Sequence, residues 1–162
     1  MGKIAIVYWS GTGNTEAMAN LVAEGAGGSA DLFTPDQFSP DQAAGYSALA
    51  FGCPSMGAEQ LEEAEFEPMF ESVKPSLGGK TIGLFGSYGW GDGEWMRTWA
   101  ADCEDAGCSL VCEPVIACGA PEGDAADACR ELGKALAAVY QAERTGRAAQ
   151  VQPLPQAAEK PP

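Results

Sequence analysis

The run KIAIVY at residues 3–8 constrains this chain more than any other feature. It is apolar at every position from 4 to 7, so a strand built from it must be covered on both faces. A parallel sheet lying between two layers of helix provides that cover. A loop rich in Gly, Ser and Thr follows, then a helical stripe of Met18, Leu21, Val22 and Gly25 at i, i+3, i+4 and i+7. The alternation continues down the chain. Further strands are expected over 30–34, 49–52, 81–87 and 109–117, with Pro114 placed to interrupt the last. Between them lie stripes of Phe66, Met69, Phe70 and Val73, of Trp95, Met96, Trp99, Ala100 and Cys103, and of Ala125, Ala128, Cys129, Leu132, Leu136, Val139 and Tyr140. The polar stretch 35–46, with two prolines, supports at most a brief helix. Five strands alternating with helices predict right-handed crossovers and a three-layer α/β/α sandwich. Residues 1–144 are expected to form one domain. Beyond Thr145 the apolar period is lost to Ala, Gln and Pro, and 145–162 is expected to be a disordered tail.

Composition removes several function classes. The 162 residues include 23 acidic and 9 basic ones, a formal charge of -14, with no histidine. Such a charge opposes binding to nucleic acid or an anionic membrane and favours partners with basic docking faces. Without histidine there is no Ser-His or Cys-His hydrolase. No apolar run is long enough to span a membrane, and no leader pattern stands at Met1, so a cytoplasmic location is expected. The six cysteines, at 53, 103, 108, 112, 118 and 129, include no CxxC pair and fit neither zinc nor common iron–sulfur spacings. All six are read as reduced thiols, with Cys108 and Cys112 on one face of a strand as small core residues.

Three loops leave the expected ends of the first, third and fourth strands, and all three are unusual. The first, Ser10-Gly11-Thr12-Gly13-Asn14-Thr15, combines glycines that turn N–H groups inward with four hydrogen-bonding side chains at a helix N-terminus. It has no lysine and lacks the last glycine of a dinucleotide fingerprint, so it suits a terminal phosphomonoester. In the second, Met56 offers a polarisable face to a flat ring, Gly57 lets its peptide flip, and Glu59 can accept from a ring N–H. The third spans 86–93 (GSYGWGDG) and carries Trp90 at its tip. A large exposed aromatic implies something to cover, such as an isoalloxazine ring.

In these stretches the chain resembles the flavodoxins, in particular the short-chain type of anaerobic bacteria. The resemblance rests on YWSGTGNTE at 8–16, on Ser55-Met56-Gly57 with Glu59, on LEEAEFE at 61–67, and on 86–93 followed by Trp95-Met96-Arg97. It spans residues 3 to about 140. It implies a five-stranded parallel sheet of order 2-1-3-4-5 and a non-covalently bound FMN at the switch between the first and third strands. It also implies a low-potential one-electron carrier that works between redox enzymes, monomeric and without a catalytic residue or metal. FMN contacts are then expected from Trp9, Ser10, Gly11, Thr12, Gly13, Asn14 and Thr15 on the first loop. Ser55, Met56, Gly57, Ala58 and Glu59 would contribute from the second, and Ser87, Tyr88, Gly89, Trp90, Gly91 and Gly93 from the third. The phosphate would lie in 10–15 and the ring between Met56 and Trp90, with Glu59 on its pyrimidine edge. Two departures stand out: Ala58 replaces an Asp common in relatives, and 25–48 is short and Pro-rich.

The rival reading is an FMN-dependent NAD(P)H:quinone reductase on the same fold. That enzyme needs a second pocket over the ring for nicotinamide or quinone. The expected Trp90 cover and the lack of inserted loops weigh against it.

Overall fold

The computed structural model describes residues 4–57 and 59–151, with side chains described up to 143. Its strands are β1 (Ile4–Tyr8), β2 (Ala30–Phe33), β3 (Ala48–Gly52), β4 (Thr81–Tyr88), β5 (Ser109–Leu110) and β6 (Val115–Cys118). The helices are α1 (Asn14–Gly25), α2 (Pro40–Ala44), α3 (Phe66–Val73), α4 (Glu94–Asp105) and α5 (Asp124–Val151). Every strand pairing is parallel and the order is β2-β1-β3-β4-β5, with β6 also paired to β4. The expected fifth strand is therefore two short ones on the same side of β4. The Val111 amide still donates to the Ile82 carbonyl at 2.8 Å, and residues 112–114 then leave the ladder, ending at the proline that cannot donate to it.

Along each central strand the side chains alternate between two cores. Ile4, Ile6, Ala48, Ala50 and Phe85 pack with Met18, Val22, Leu132 and Leu136 of α1 and α5. Ala5, Val7, Leu49, Phe51, Ile82 and Leu84 pack with Phe66, Phe70, Trp95 and Trp99 of α3 and α4. This is the three-layer sandwich that the unbroken apolar run requires. On the first face α1 and α5 touch backbone to backbone. A Cβ added to Gly25 would sit 1.9 Å from the Arg130 carbonyl oxygen, and one added to Gly133 would sit 1.9 Å from that of Val22. The helix crossing needs both glycines.

Two expectations for the chain change here. Cys53, Cys103, Cys108 and Cys129 are buried, but Cys112 and Cys118 are exposed, so the shared core face expected for Cys108 and Cys112 does not form. The cause is the break between β5 and β6, which resets the alternation. Helix α5 also continues to Val151, past the point where its apolar period ends at Thr145. The rest of the expected tail, 152–162, lies outside the described residues. Among the described residues, no helix is long and apolar enough to cross a membrane.

Candidate functional site

The loops after β1, β3, β4 and β6 emerge at one end of the sheet, beside the point where strand order reverses between β1 and β3. They enclose a cavity of about 260 Å³, lined by Trp9, Gly11, Thr12 and Asn14 from the first loop and by Pro54, Ser55 and Met56 from the second. Ser87, Tyr88 and Gly89 line it from the third, and Gly119 from the loop after β6. That fourth contributor was not expected from the sequence. Its signal is structural: the buried Ser87 hydroxyl donates to the Gly119 carbonyl at 2.7 Å, and the Gly119 amide donates to Tyr88 at 3.0 Å.

The first loop folds around one hydroxyl. Ser10 Oγ accepts from the amides of Gly13 at 3.1 Å and Glu16 at 3.2 Å. Gly13, at φ +98°, turns the chain into α1. Thr15, in the first turn of α1, is buried, and its hydroxyl has no hydrogen-bond partner. A buried, unpartnered donor at a helix N-terminus beside a glycine-rich turn is an unmet demand for an acceptor. A phosphate supplies one, so the residues present fit a phosphorylated cofactor. Trp9 walls this loop: its ring would lie 3.0 Å from a Cβ on Gly11, and its indole N–H donates to Glu65 Oε1 at 2.7 Å.

The second loop is a tight turn framed by a reciprocal pair. The Met56 amide donates to the Gln60 carbonyl at 2.8 Å, and the Gln60 amide donates back at 2.9 Å. Within it Gly57 has φ +52° and Glu59 has φ +56°, the left-handed region that a residue with a side chain seldom occupies. Nothing lies within 4 Å of where a Gly57 Cβ would stand, so this glycine is required by its backbone angle and not by crowding. Ala58, expected among the cofactor contacts, lies outside the described residues. Glu59 Oε1 accepts the Glu94 amide at 2.9 Å and so caps α4 from across the gap between loops. A Cβ on Gly91 would come within 2.6 Å of that carboxylate.

The third loop is tied at its base. Ser55 N–H donates to the Ser87 carbonyl at 3.0 Å, and the Trp95 indole donates to the Cys53 carbonyl at 3.1 Å. Tyr88 packs on Trp95 with ring centroids 5.6 Å apart. Trp90 stands out at the tip, 64% exposed. Trp90, Gly57 and Glu59 do not line the cavity itself; they sit on its rim loops, as do Gly91 and Gly93.

The acidic stretch after Gly57 proves less uniform than its composition suggests. Glu62 is buried, and its two carboxylate oxygens accept the amides of Ala64, Glu65 and Phe66 at 2.9, 2.8 and 2.7 Å, capping α3. Burial pushes its pKa upward, but the three amides outweigh that and hold the carboxyl below the usual range. Glu65 holds Trp9, and Glu71 shares Lys74 with Asp102. The Cys53 thiol beneath the site is pushed up to about 12, chiefly by burial, so it is no nucleophile.

The flavodoxin family model matches residues 6–133. The chain belongs to the flavodoxin family. It is 43% identical over 137 residues to a flavodoxin of Megasphaera elsdenii, covering 83% of this chain and 98% of that one. A Clostridium beijerinckii flavodoxin is likewise 43% identical, over 135 residues, with 82% and 97% covered. The solution structure of two-electron reduced Megasphaera elsdenii flavodoxin superimposes with a TM-score of 0.77 at 44% identity, covering 83% of this chain and 98% of that one. The short-chain resemblance and the 2-1-3-4-5 order both hold. This flavodoxin is thus an electron carrier, and FMN is its cofactor.

Proposed function

We propose that this flavodoxin holds FMN non-covalently in the cavity between the first three loops and passes electrons singly between redox proteins, with no substrate turnover of its own. The observation that carries the reading is the convergence of those loops on one cavity, with the unpartnered Thr15 hydroxyl next to its lining residue Asn14 in the first turn of α1. Ser10, Thr12, Asn14 and Thr15 would hold the phosphate, and the α1 N-terminus adds its positive dipole end. Met56 and Trp90 would flank the ring, with Trp90 covering it from the water that the free indole now faces. Glu59 would turn to the ring's pyrimidine edge, and Gly119 would close the remaining side.

When bound, FMN supplies the redox chemistry, accepting and releasing electrons one at a time. The chain's own residues set how readily it does so. The Gly57 carbonyl would accept a hydrogen bond from the ring N–H that exists only after reduction, favouring the first electron. The neutral phosphate cradle and the surrounding carboxylates would disfavour the negative charge that the second electron puts on the ring, lowering the second potential. Domain limits of 1–144, a monomeric state and a cytoplasmic location belong to the same proposal, as do partners with basic faces, which a charge of -14 would steer.

The absorption spectrum of the purified protein tests the cofactor, and a reductive titration tests single-electron cycling. Rapid NADH oxidation by the protein alone would make it an enzyme and defeat the carrier reading.

A further inference from the structure

A cavity larger than the one between the site loops lies elsewhere on the molecule. A groove of about 580 Å³ runs between α4 and the break that separates β5 from β6. Its walls are Met96 and Ala100 of α4, Leu110 at the end of β5, Pro114 in the break and Ile116 of β6. It exists because residues 112–114 leave the ladder, so α4 has no continuous strand to cover at that edge. Ile116 is 36% exposed there. The groove shares a wall with the third site loop: Gly93 lines it, and a Cβ on Gly93 would stand 3.3 Å from Ile116 Cδ1.

The charges at the groove decide what suits it. Glu104 and Glu113 line it without a basic partner among the described ion pairs. The lining cation, Arg97, is already held by Asp92, at 3.1 Å to the carboxylate and 3.0 Å to the carbonyl. An apolar slot with an acidic rim complements an apolar side chain flanked by Lys or Arg. A second copy of this chain is the wrong occupant, because each copy carries a charge of -14 and brings the same acidic rim.

We infer that this groove anchors the redox partner: it seats an apolar side chain from a basic face and thereby holds that partner against the loop that carries Trp90. The inference rests on the carrier reading and adds to it a second contact, beside the cofactor edge, that fixes orientation where charge alone only steers.

Cys112 lines the groove and is exposed, which supplies a means of blocking it. The test uses the FMN-loaded full chain in a Cys118→Ser background, so that Cys112 is the one exposed thiol among the described residues, modified with uncharged benzyl maleimide. The protein is first reduced with dithionite and freed of the excess; cytochrome c is then the basic protein acceptor, and a small neutral quinone is the control. Blocking should slow cytochrome c reduction about tenfold, the scale of losing one buried apolar anchor. The ratio between blocked and unblocked protein should persist at about 0.3 M salt, where steering is screened. Midpoint potentials and quinone reduction should not change. Ile116→Ser, checked by its melting curve, should act in the same direction.

An unchanged cytochrome c rate in the blocked protein overturns the inference while leaving the carrier reading intact. Failure of the unmodified protein to reduce either acceptor overturns the carrier reading, and the inference with it. Self-association that the adduct abolishes would put a second copy in the groove and overturn the inference alone.

Discussion

The Trp9 indole nitrogen donates to the Glu65 carboxylate at 2.7 Å, joining the first loop of the proposed FMN site to the segment that leads into α3. Trp9 also borders two cavities, the site itself and a polar one of about 270 Å³ lined by Tyr8, Glu16, Asp36 and Glu65. The bond therefore fixes which way the indole leans. Glu65→Leu removes the acceptor and should loosen FMN by about three- to tenfold, the worth of one charge-assisted hydrogen bond at an exposed site. Glu65→Gln keeps an acceptor and removes a negative charge near the phosphate, so its FMN affinity should equal or exceed that of the parent. Titration of the apoprotein with FMN checks both. Equal losses in the two variants would mean that the bond does not position Trp9.

The hydroxyls of the first loop give a sharper test, because they are expected to see the phosphate and not the ring. Thr15→Ala removes the one buried hydroxyl there that has no partner in the protein. That change should cost little stability and considerable FMN affinity. Combined with Thr12→Ala, it should weaken FMN by about ten- to a hundredfold, as expected for two hydrogen bonds to a charged group. Riboflavin, which has no phosphate, should bind nearly as before. Equal weakening of both ligands would remove the phosphate from this loop.

Glu62 links pH to folding with a definite sign. Its folded pKa lies below its unfolded value, so its contribution is complete above the unfolded pKa of about 4.3 and is lost as pH falls through the folded one. Glu62→Gln loses the charge that the three amides favour, and should lower stability by about 1–3 kcal/mol at pH 7. The gap between parent and variant should then shrink steadily below about pH 4. Urea unfolding at pH 7 and pH 3.5 measures it. A gap that stays constant with pH would show that the charge contributes nothing.

Apolar periodicity is local, so the strands, both faces of the sheet, and the α3, α4 and α5 stripes are legible from neighbours alone. The loops are legible because Gly, Ser and Thr cluster where backbone must face a ligand. What stays hidden depends on partners far along the chain. Glu62 looks like one more solvated carboxylate in LEEAEFE until the start of α3 folds over it. Gly133 reads as a lapse in a good helix, although its carbonyl neighbour lies on α1. Glu59 reads as a ring contact, yet in the described structure it caps α4, thirty-five residues on. Pro114 announces the break in the last strand, but not the groove that the break opens or the exposure of Cys112.

The final prediction concerns Gly57, whose φ of +52° puts it where a β-branched residue is strained by about 1–3 kcal/mol. The space around it is open, so Gly57→Thr meets no clash and the whole cost is conformational. Where that cost falls depends on what the turn does. Oxidised FMN offers no proton to the Gly57 carbonyl, so the turn can relax away from the strained angle and oxidised FMN should bind the variant almost as tightly as the parent. On the proposed reading, a reduced ring would require the carbonyl and hold the turn in place. The penalty then falls on the reduced forms and lowers the first midpoint potential by about 40–130 mV, taking 59 mV per tenfold for one electron. The second potential should move less, because both reduced forms carry the same strain, and the separation between the two potentials should narrow. Redox titration of parent and variant at one pH gives all three quantities. Two unchanged potentials, with the variant folded and FMN bound, would show that the turn does not sense the cofactor's reduction.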